Sequence, residues 1–462
     1  MMGKQLLIWF WLVILCMSGL QSCKKEMADN EPVSVTPETA MEVYLNNGDI
    51  SFKWELKNQL KVAGVTYYQI QFTSQIWHNI HWTHEMIIIV PEILSYNEAL
   101  LIINGGSNTN ELPDTQSFTD GTVQYAGMMA SNYKAIIALM WQVPNQPLFG
   151  LSEDALISKT LANFLNDHDF SWPLLFPMTK SAIKAMDVIQ EFSQKKLNRQ
   201  VSGFIVSGAS KRGWTTWLTG AMDHRVVGIA PMVIDMLNMA VNIEYQKEVW
   251  GDYSIEIQDY VKLGIAQKLG TPGGTDLVKM IDPYSYRRNL TMPKMIFMGT
   301  NDPYWPVDAV KNYIDDIPGN NHLCYTPNAG HNLGDMTTAL ATLGGFFSNI
   351  LTESAIPKCD YQIREEGGQI ILTINTTPEL LVDAFLWSAN SVGDQDFRNE
   401  NWSPVALNAS KKPVVQVTID YPKNGFKAFY ADLKYKAPYG DDYTQSTRIF
   451  VANDKKLLLR TK

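Results

Sequence analysis

An α/β fold built on a mostly parallel sheet is the class this sequence predicts, and three observations predict it. The first is a series of short, nearly continuous apolar runs: ALLIING (99–105), AIIALMWQVP (135–144), VSGFIVSG (201–208), VVGIAPMVI (226–234) and KMIFMGT (294–300). Runs of this kind suit strands covered on both faces by helices. The second is the helical writing between them. SEDALISKTLANFLND (152–167) opens with Ser152 in capping position and acids in its first turn, and TKSAIKAMDVIQEFSQKK (179–196) repeats apolar residues at helical spacing. Strand, helix, strand in this order implies right-handed crossovers. The third is a change to period two at both ends. Residues 50–91 alternate in three bursts, FKWELKNQL, VTYYQIQFTSQIW and WTHEMIIIVP, which predict antiparallel N-terminal strands. Beyond residue 352 QIILTINTT, LVDAFLWSA, PVVQVTIDYP, GFKAFYADLKYK and STRIFVAN predict a C-terminal antiparallel β-sandwich over 352–462, which leaves 41–351 for the α/β domain.

Residues 236–290 lie between two candidate strands and are far longer than an ordinary crossover. They read as a helical insertion, placed to cover the carboxyl ends of the strands as a lid.

The N-terminus reads as an address. One lysine, an apolar run from Leu6 to Met17 and then small and polar residues have the layout of a signal peptide over 1–22. Leu20-Gln21-Ser22-Cys23 resembles the lipobox of bacterial lipoproteins, so Cys23 is the expected lipidation site and 23–40 a polar tether. The expected location is the bacterial cell envelope, with the membrane as a partner through that anchor. With Cys16 and Cys23 so assigned, Cys324 and Cys359 remain, as a disulfide or as two buried thiols.

A net charge of −9, with 45% hydrophobic and 18% charged residues, describes a well-packed globular chain with no basic field for nucleic acid. No metal or other cofactor is expected.

The chemistry is carried by FIVSGASKRGWTTWL. A strand runs into Ser210 with Gly208 before it and Gly213 after it, and a helix follows whose N-terminal N–H groups point at the turn. A nucleophilic serine needs that exposure, a base within reach, and donors where an oxyanion forms. The pattern resembles the nucleophile elbow of the α/β-hydrolases, with Arg212 where a glycine is usual and the glycine one residue later. Chain order supplies the partners. His331, in NAGHNL after a predicted strand, is the expected base; His322 precedes that strand, and His224 lies in a helix-to-strand turn. Asp302, at the end of KMIFMGTND, is the expected acid, with Asp235 at the end of VVGIAPMVID as the alternative. A helix over 306–316 is expected between Asp302 and the next strand. Oxyanion donors are expected from the Lys211 N–H and from Gly105 and Gly106 in ALLIINGGS.

GASKRGWTTWL, APMVIDMLNM, GTNDPYW and NAGHNL together resemble the PhoPQ-activated pathogenicity-related proteins, from about Trp54 to Val451. That resemblance implies the α/β-hydrolase fold, an envelope or secreted location and a hydrolase without a settled substrate. Lys211 also stands where glucuronoyl esterases carry an oxyanion-holding arginine. The expected activity is therefore serine ester hydrolysis of a small-molecule or carbohydrate ester. A carbohydrate esterase for uronic-acid esters and a non-catalytic binding or signalling protein on the same scaffold are the alternatives.

Other features have plainer readings. His78, His81 and His84 are spaced to alternate across a strand and are expected on its surface rather than around a metal. Asp394 and Asp396 are expected in a sandwich loop, with a salt link to Arg398. Trp172, Trp214, Trp217, Tyr304 and Trp305 fall near the expected site and suit core packing.

Overall fold

A computed structural model describes residues 35–460. The signal-peptide reading, with Cys16 and Cys23, and the tether reading up to residue 34 lie outside the described residues; the end of the tether reading is described, and Ala40 opens helix Ala40–Leu45. Among the described residues no helix is long and apolar enough to cross a membrane.

Nine strands of the α/β part are β1 (Lys53–Val62), β2 (Val65–Trp77), β3 (Ile80–Pro91), β4 (Glu98–Ile103), β5 (Ile136–Met140), β6 (Gly203–Ala209), β7 (Val226–Met232), β8 (Lys294–Gly299) and β9 (Asn321–Thr326). They lie side by side in the order β1-β2-β3-β5-β4-β6-β7-β8-β9. The first three pair antiparallel and β3 meets β5 antiparallel; from β5 to β9 every pairing is parallel. The continuous apolar runs explain the parallel block: all five residues of β5 and all six of β8 are buried. Ligands of open α/β sheets bind outside the carboxyl ends of such strands. Those ends carry the loops at 104–106, 210, 235, 302 and 331.

The helices match the reading closely at some ends and not at others. Helix Glu153–Asp167 follows Ser152, but the Ser152 side chain makes no capping bond. The helix read over 179–196 starts earlier, at Leu175, and ends at Phe192. Helix Gly121–Tyr133, which the pattern reading missed, is capped by Asp120, whose carboxylate accepts from the Thr122 and Val123 N–H groups. The expected helix over 306–316 is instead two short 3-10 turns, Ala309–Asn312 and Ile314–Asp316. Residues 309–314 are buried on every side, so no solvent-facing stripe exists to sustain an amphipathic helix.

The insertion is helical, with Met239–Trp250, Gln258–Lys262, Ile265–Lys268 and Pro272–Ile281 joined by turns. Beyond it, the C-terminal strands are β10 (Asp360–Glu366), β11 (Gln369–Asn375), β12 (Leu381–Ser391), β13 (Ser403–Ala406), β14 (Val414–Asp420), β15 (Phe426–Tyr435), β16 (Tyr443–Ser446) and β17 (Phe450–Asn453). β10, β11 and β14 form one antiparallel sheet. Its alternating residues Ile370, Leu372, Val415 and Val417 share a core with Phe429, Ala431 and Leu433 of the facing sheet. That facing sheet is continuous with the large one: β16 pairs antiparallel with β9 at Ser446 and Leu323, and β15, β12 and β13 follow. The sandwich therefore shares a sheet with the α/β part, a feature that strand spacing alone does not reveal.

Candidate active site

At Ser210 the strand β6 ends and helix Lys211–Met222 begins in the next residue. The turn between them is strained: Ser210 has φ 58° and ψ −125°, a conformation rarely adopted by a residue with a side chain. Close backbone approach enforces it. A Cβ on Gly208 would stand 2.8 Å from the Arg212 carbonyl oxygen, and one on Gly213 would stand 2.8 Å from that of Met232. Glycine is thus needed at 213, where the helix crosses the end of β7. The Ser210 N–H donates to Met232 O at 2.8 Å, and Ser210 O accepts from Trp214 N at 2.9 Å.

The three residues read from the sequence meet. His331 Nε2 lies 2.9 Å from Ser210 Oγ, and His331 Nδ1 lies 2.8 Å from Asp302 Oδ2. With Nδ1–H donating to the carboxylate, Nε2 is free to accept from the serine hydroxyl. Asp302 Oδ1 accepts from the Tyr304 N–H at 2.9 Å, so both of its oxygens are engaged. The Tyr304 ring stacks on the imidazole, with centroids 4.1 Å apart.

Two neighbouring loops hold this geometry. Asn328 N donates to Thr300 Oγ1, and a Cβ on Gly299 would lie 2.4 Å from Ala329 O and Gly330 O, so the acid and histidine loops are in close backbone contact. Both loops also dock on the segment between β12 and β13. Asn301 Nδ2 donates to the carbonyls of Phe397, Arg398 and Glu400, while Asn328 and Trp402 exchange a pair of hydrogen bonds.

The alternative residues are placed elsewhere. Asp235 is buried, touches no histidine, and has no protein partner for Oδ1. Burial, with the charges of Asp302 and Asp308 adding to it, pushes its carboxyl up to about 7. His322 lies on β9, bonded to Gln445, and burial lowers it to about 4. Gly105 and Gly106 do not line the cleft; Gly105 reaches the elbow through the Arg212 guanidinium, which a Cβ there would strike, and Gly106 lies against Gln142 and Trp141. Their carbonyls accept from Gln142 N and Gln146 Nε2.

The Lys211 side chain is paired with carboxylates. Its Nζ pairs with Glu153 at 3.0 Å and Asp154 at 2.9 Å, and Arg212 pairs with Glu153 as well. Burial alone would raise Glu153, but the hydrogen bonds and charge of Arg212 and the charge of Lys211 outweigh it and hold Glu153 at about 2. The acids read as helix-cap chemistry thus neutralise the two cations beside Ser210, a pairing the sequence signalled only as adjacent charges.

Ser210 and His331 open into a cleft of ≈ 650 Å³, part of it open to solvent, whose other walls are mostly apolar and come largely from the insertion. Trp214, Tyr304 and Trp305 line this cleft; Trp217 is buried away from it.

The histidine cluster also needs correcting. His84 is wholly buried, between Ser74 Oγ and Trp141 O, because β3 is covered on both faces; burial lowers it to about 4. His78 sits at the β2–β3 turn, stacked on Trp172. Among the described residues no group of three or more His, Cys, Asp or Glu is arranged to hold a metal ion. Cys324 and Cys359 are free thiols, and Asp396 pairs with Arg398.

Autocrine proliferation repressor protein A of Dictyostelium discoideum is 29% identical to this chain over 443 residues, covering 88% of each chain. Among solved structures, acetyl xylan esterase 1 from Thermoanaerobacterium sp. aligns over 64% of this chain and 89% of its own, at 16% identity and TM-score 0.44. A glucuronoyl esterase from Solibacter usitatus aligns over 65% and 88%, at 12% identity and TM-score 0.35. The family model described as PhoPQ-activated pathogenicity-related protein matches residues 41–398, well over half of the chain. This chain belongs to the PhoPQ-activated pathogenicity-related protein family.

Proposed function

We propose that the protein is a serine hydrolase that transfers the acyl group of an ester to water. The observation that carries this reading is the unbroken relay from Asp302 through His331 to Ser210 Oγ, made by direct bonds of 2.8 and 2.9 Å at a strained turn. His331 Nε2 takes the hydroxyl proton as Ser210 Oγ attacks the ester carbonyl, and Asp302 orients the ring and offsets the imidazolium charge. The tetrahedral oxyanion is held by the N–H of Lys211, at the start of its helix. Collapse expels the alcohol, which takes the proton from His331. Water, deprotonated by the same nitrogen, then attacks the acyl-enzyme and releases the acid and free Ser210.

The uronic-acid alternative needs a basic group beside Ser210. Lys211 and Arg212 are both paired with carboxylates, which disfavours an anionic substrate. A scaffold kept only for binding has no use for a strained serine in contact with a histidine. A fluorophosphonate probe should label the protein and leave Ser210→Ala unlabelled; equal labelling of the two would remove the hydrolase reading. We place the enzyme in the cell envelope on the Cys23 motif, and a Cys23→Ser variant should lose incorporation of labelled fatty acid.

A further inference from the structure

We propose that the cleft takes an uncharged, apolar acyl chain, so that the substrate is an ester of an aliphatic acid; this rests on the hydrolase reading above. Leu161, Trp214, Met236, Ile243, Ile265 and Leu269 form walls around Ser210 with no unpaired charge. Three of the polar side chains that reach the same space satisfy one another: Asp154 accepts from the Tyr260 hydroxyl at 2.9 Å and pairs with Lys211. Burial pushes the Tyr260 hydroxyl well above its usual range, so it stays a neutral donor to Asp154. A carboxylate or sugar hydroxyls entering here would lose water against mostly apolar walls, whereas methylene groups gain by burial and flexible methionine walls adapt to them. The occupant is the acyl side. That group stays bonded to Oγ through both half-reactions, and Trp214, on the helix that starts at Ser210, forms part of the wall. The alcohol leaves with the proton of His331.

The test is kcat/KM for 4-nitrophenyl acetate, butyrate, hexanoate and octanoate, set beside acetates of alcohols of growing length and a methyl glucuronate. The acyl series should climb by about three- to fourfold per methylene until the cleft fills. Ile243→Trp should lower the octanoate-to-acetate ratio about tenfold. Leu269→Trp, on a separate helix, repeats the test should the first variant misfold. A flat acyl series, a gain with alcohol length only, or preference for the glucuronate overturns the proposal while fluorophosphonate labelling of Ser210 persists. Loss of labelling would sink the hydrolase reading instead.

Different bonds carry a second inference: we infer that the insertion sets the position of the acid loop. Gln246 Nε2 donates to Tyr304 O and Ser254 Oγ donates to Pro303 O, each at 2.8 Å, and Ser254 N donates to Gln246 Oε1 at 2.9 Å. Both side chains are fully buried, and their acceptors are the two residues directly after Asp302. Gln246 and Ser254 are therefore positioning residues acting through Asp302 and Tyr304. Ser254→Ala and Gln246→Leu should lower kcat for 4-nitrophenyl acetate about tenfold at unchanged KM, and slow fluorophosphonate inactivation in parallel. Ser254→Thr, which keeps the hydroxyl, should restore both. Lowered melting temperature with kcat within about twofold of the parent would reduce these bonds to a structural role and overturn the inference.

Discussion

The Tyr304 ring lies nearly parallel to the His331 imidazole, 28° between planes and 4.1 Å between centroids. An aromatic face beside a ring that becomes cationic during proton transfer stabilises that charge by about 0.5–2 kcal/mol. Tyr304→Phe keeps the face and should retain activity within about twofold, whereas Tyr304→Leu should lose roughly five- to twentyfold in kcat. Steady-state kinetics on one ester checks both. Equal loss in the two variants would point to the hydroxyl rather than the ring.

The two buried carboxylates should separate cleanly. Asp302→Asn forces the wrong imidazole tautomer and should reduce kcat by about 10³- to 10⁴-fold with little change in stability. Asp235→Asn should leave most activity. Because burial raises the Asp235 carboxyl to about 7, the folded state holds a proton that the unfolded chain has released above its own lower value. Stability is lost as pH rises between the two and then levels off. Asp235→Asn should thus match its parent near pH 4 and exceed it by about 1–3 kcal/mol at pH 8, read by thermal melts across pH.

Glu153 titrates in the opposite sense. Held at about 2, it contributes stability that is present above its unfolded value and is lost as pH falls through the folded one. Arg212→Met should flatten the acid end of the stability curve and lower the melting temperature at pH 7, modestly because Glu153 is 40% exposed. It should also cost activity, since the Arg212 guanidinium lies against Gly105 and its Nε donates to Val143 O.

Gly213→Ala places a methyl against Met232 O and Gly208 O at 2.8 and 3.0 Å. Overpacking there should cost about 1–3 kcal/mol and distort the turn at Ser210. Denaturant melts and probe labelling should fall together; a folded, fully reactive variant would show that the elbow tolerates a looser crossing.

Much of this site was legible in the chain. Ser210 and Asp302 each follow a strand whose apolar run marks it as central, and chain order selected His331 over His322 and Asp302 over Asp235. The displaced glycine of the elbow was readable as a departure; its reason was not, because it lies in the crossing of helix Lys211–Met222 over the end of β7. The pairing of the Lys211 side chain was not legible, because its partners sit about 58 residues earlier in sequence and charge neutralisation at that range leaves no local pattern. The same limit hid the joining of β9 to β16, which rests on pairing between Leu323 and Ser446.

That junction has a practical outcome for anyone trimming the protein to the span of its family model, which stops at residue 398. Such a clone would strip β9 of its neighbour and leave a naked strand edge, an invitation to self-association. It would also remove Trp402 and Glu400, on which Asn328 and Asn301 rest. The residues after 398 are then not a passenger module but a buttress, and catalytic competence should not survive their excision.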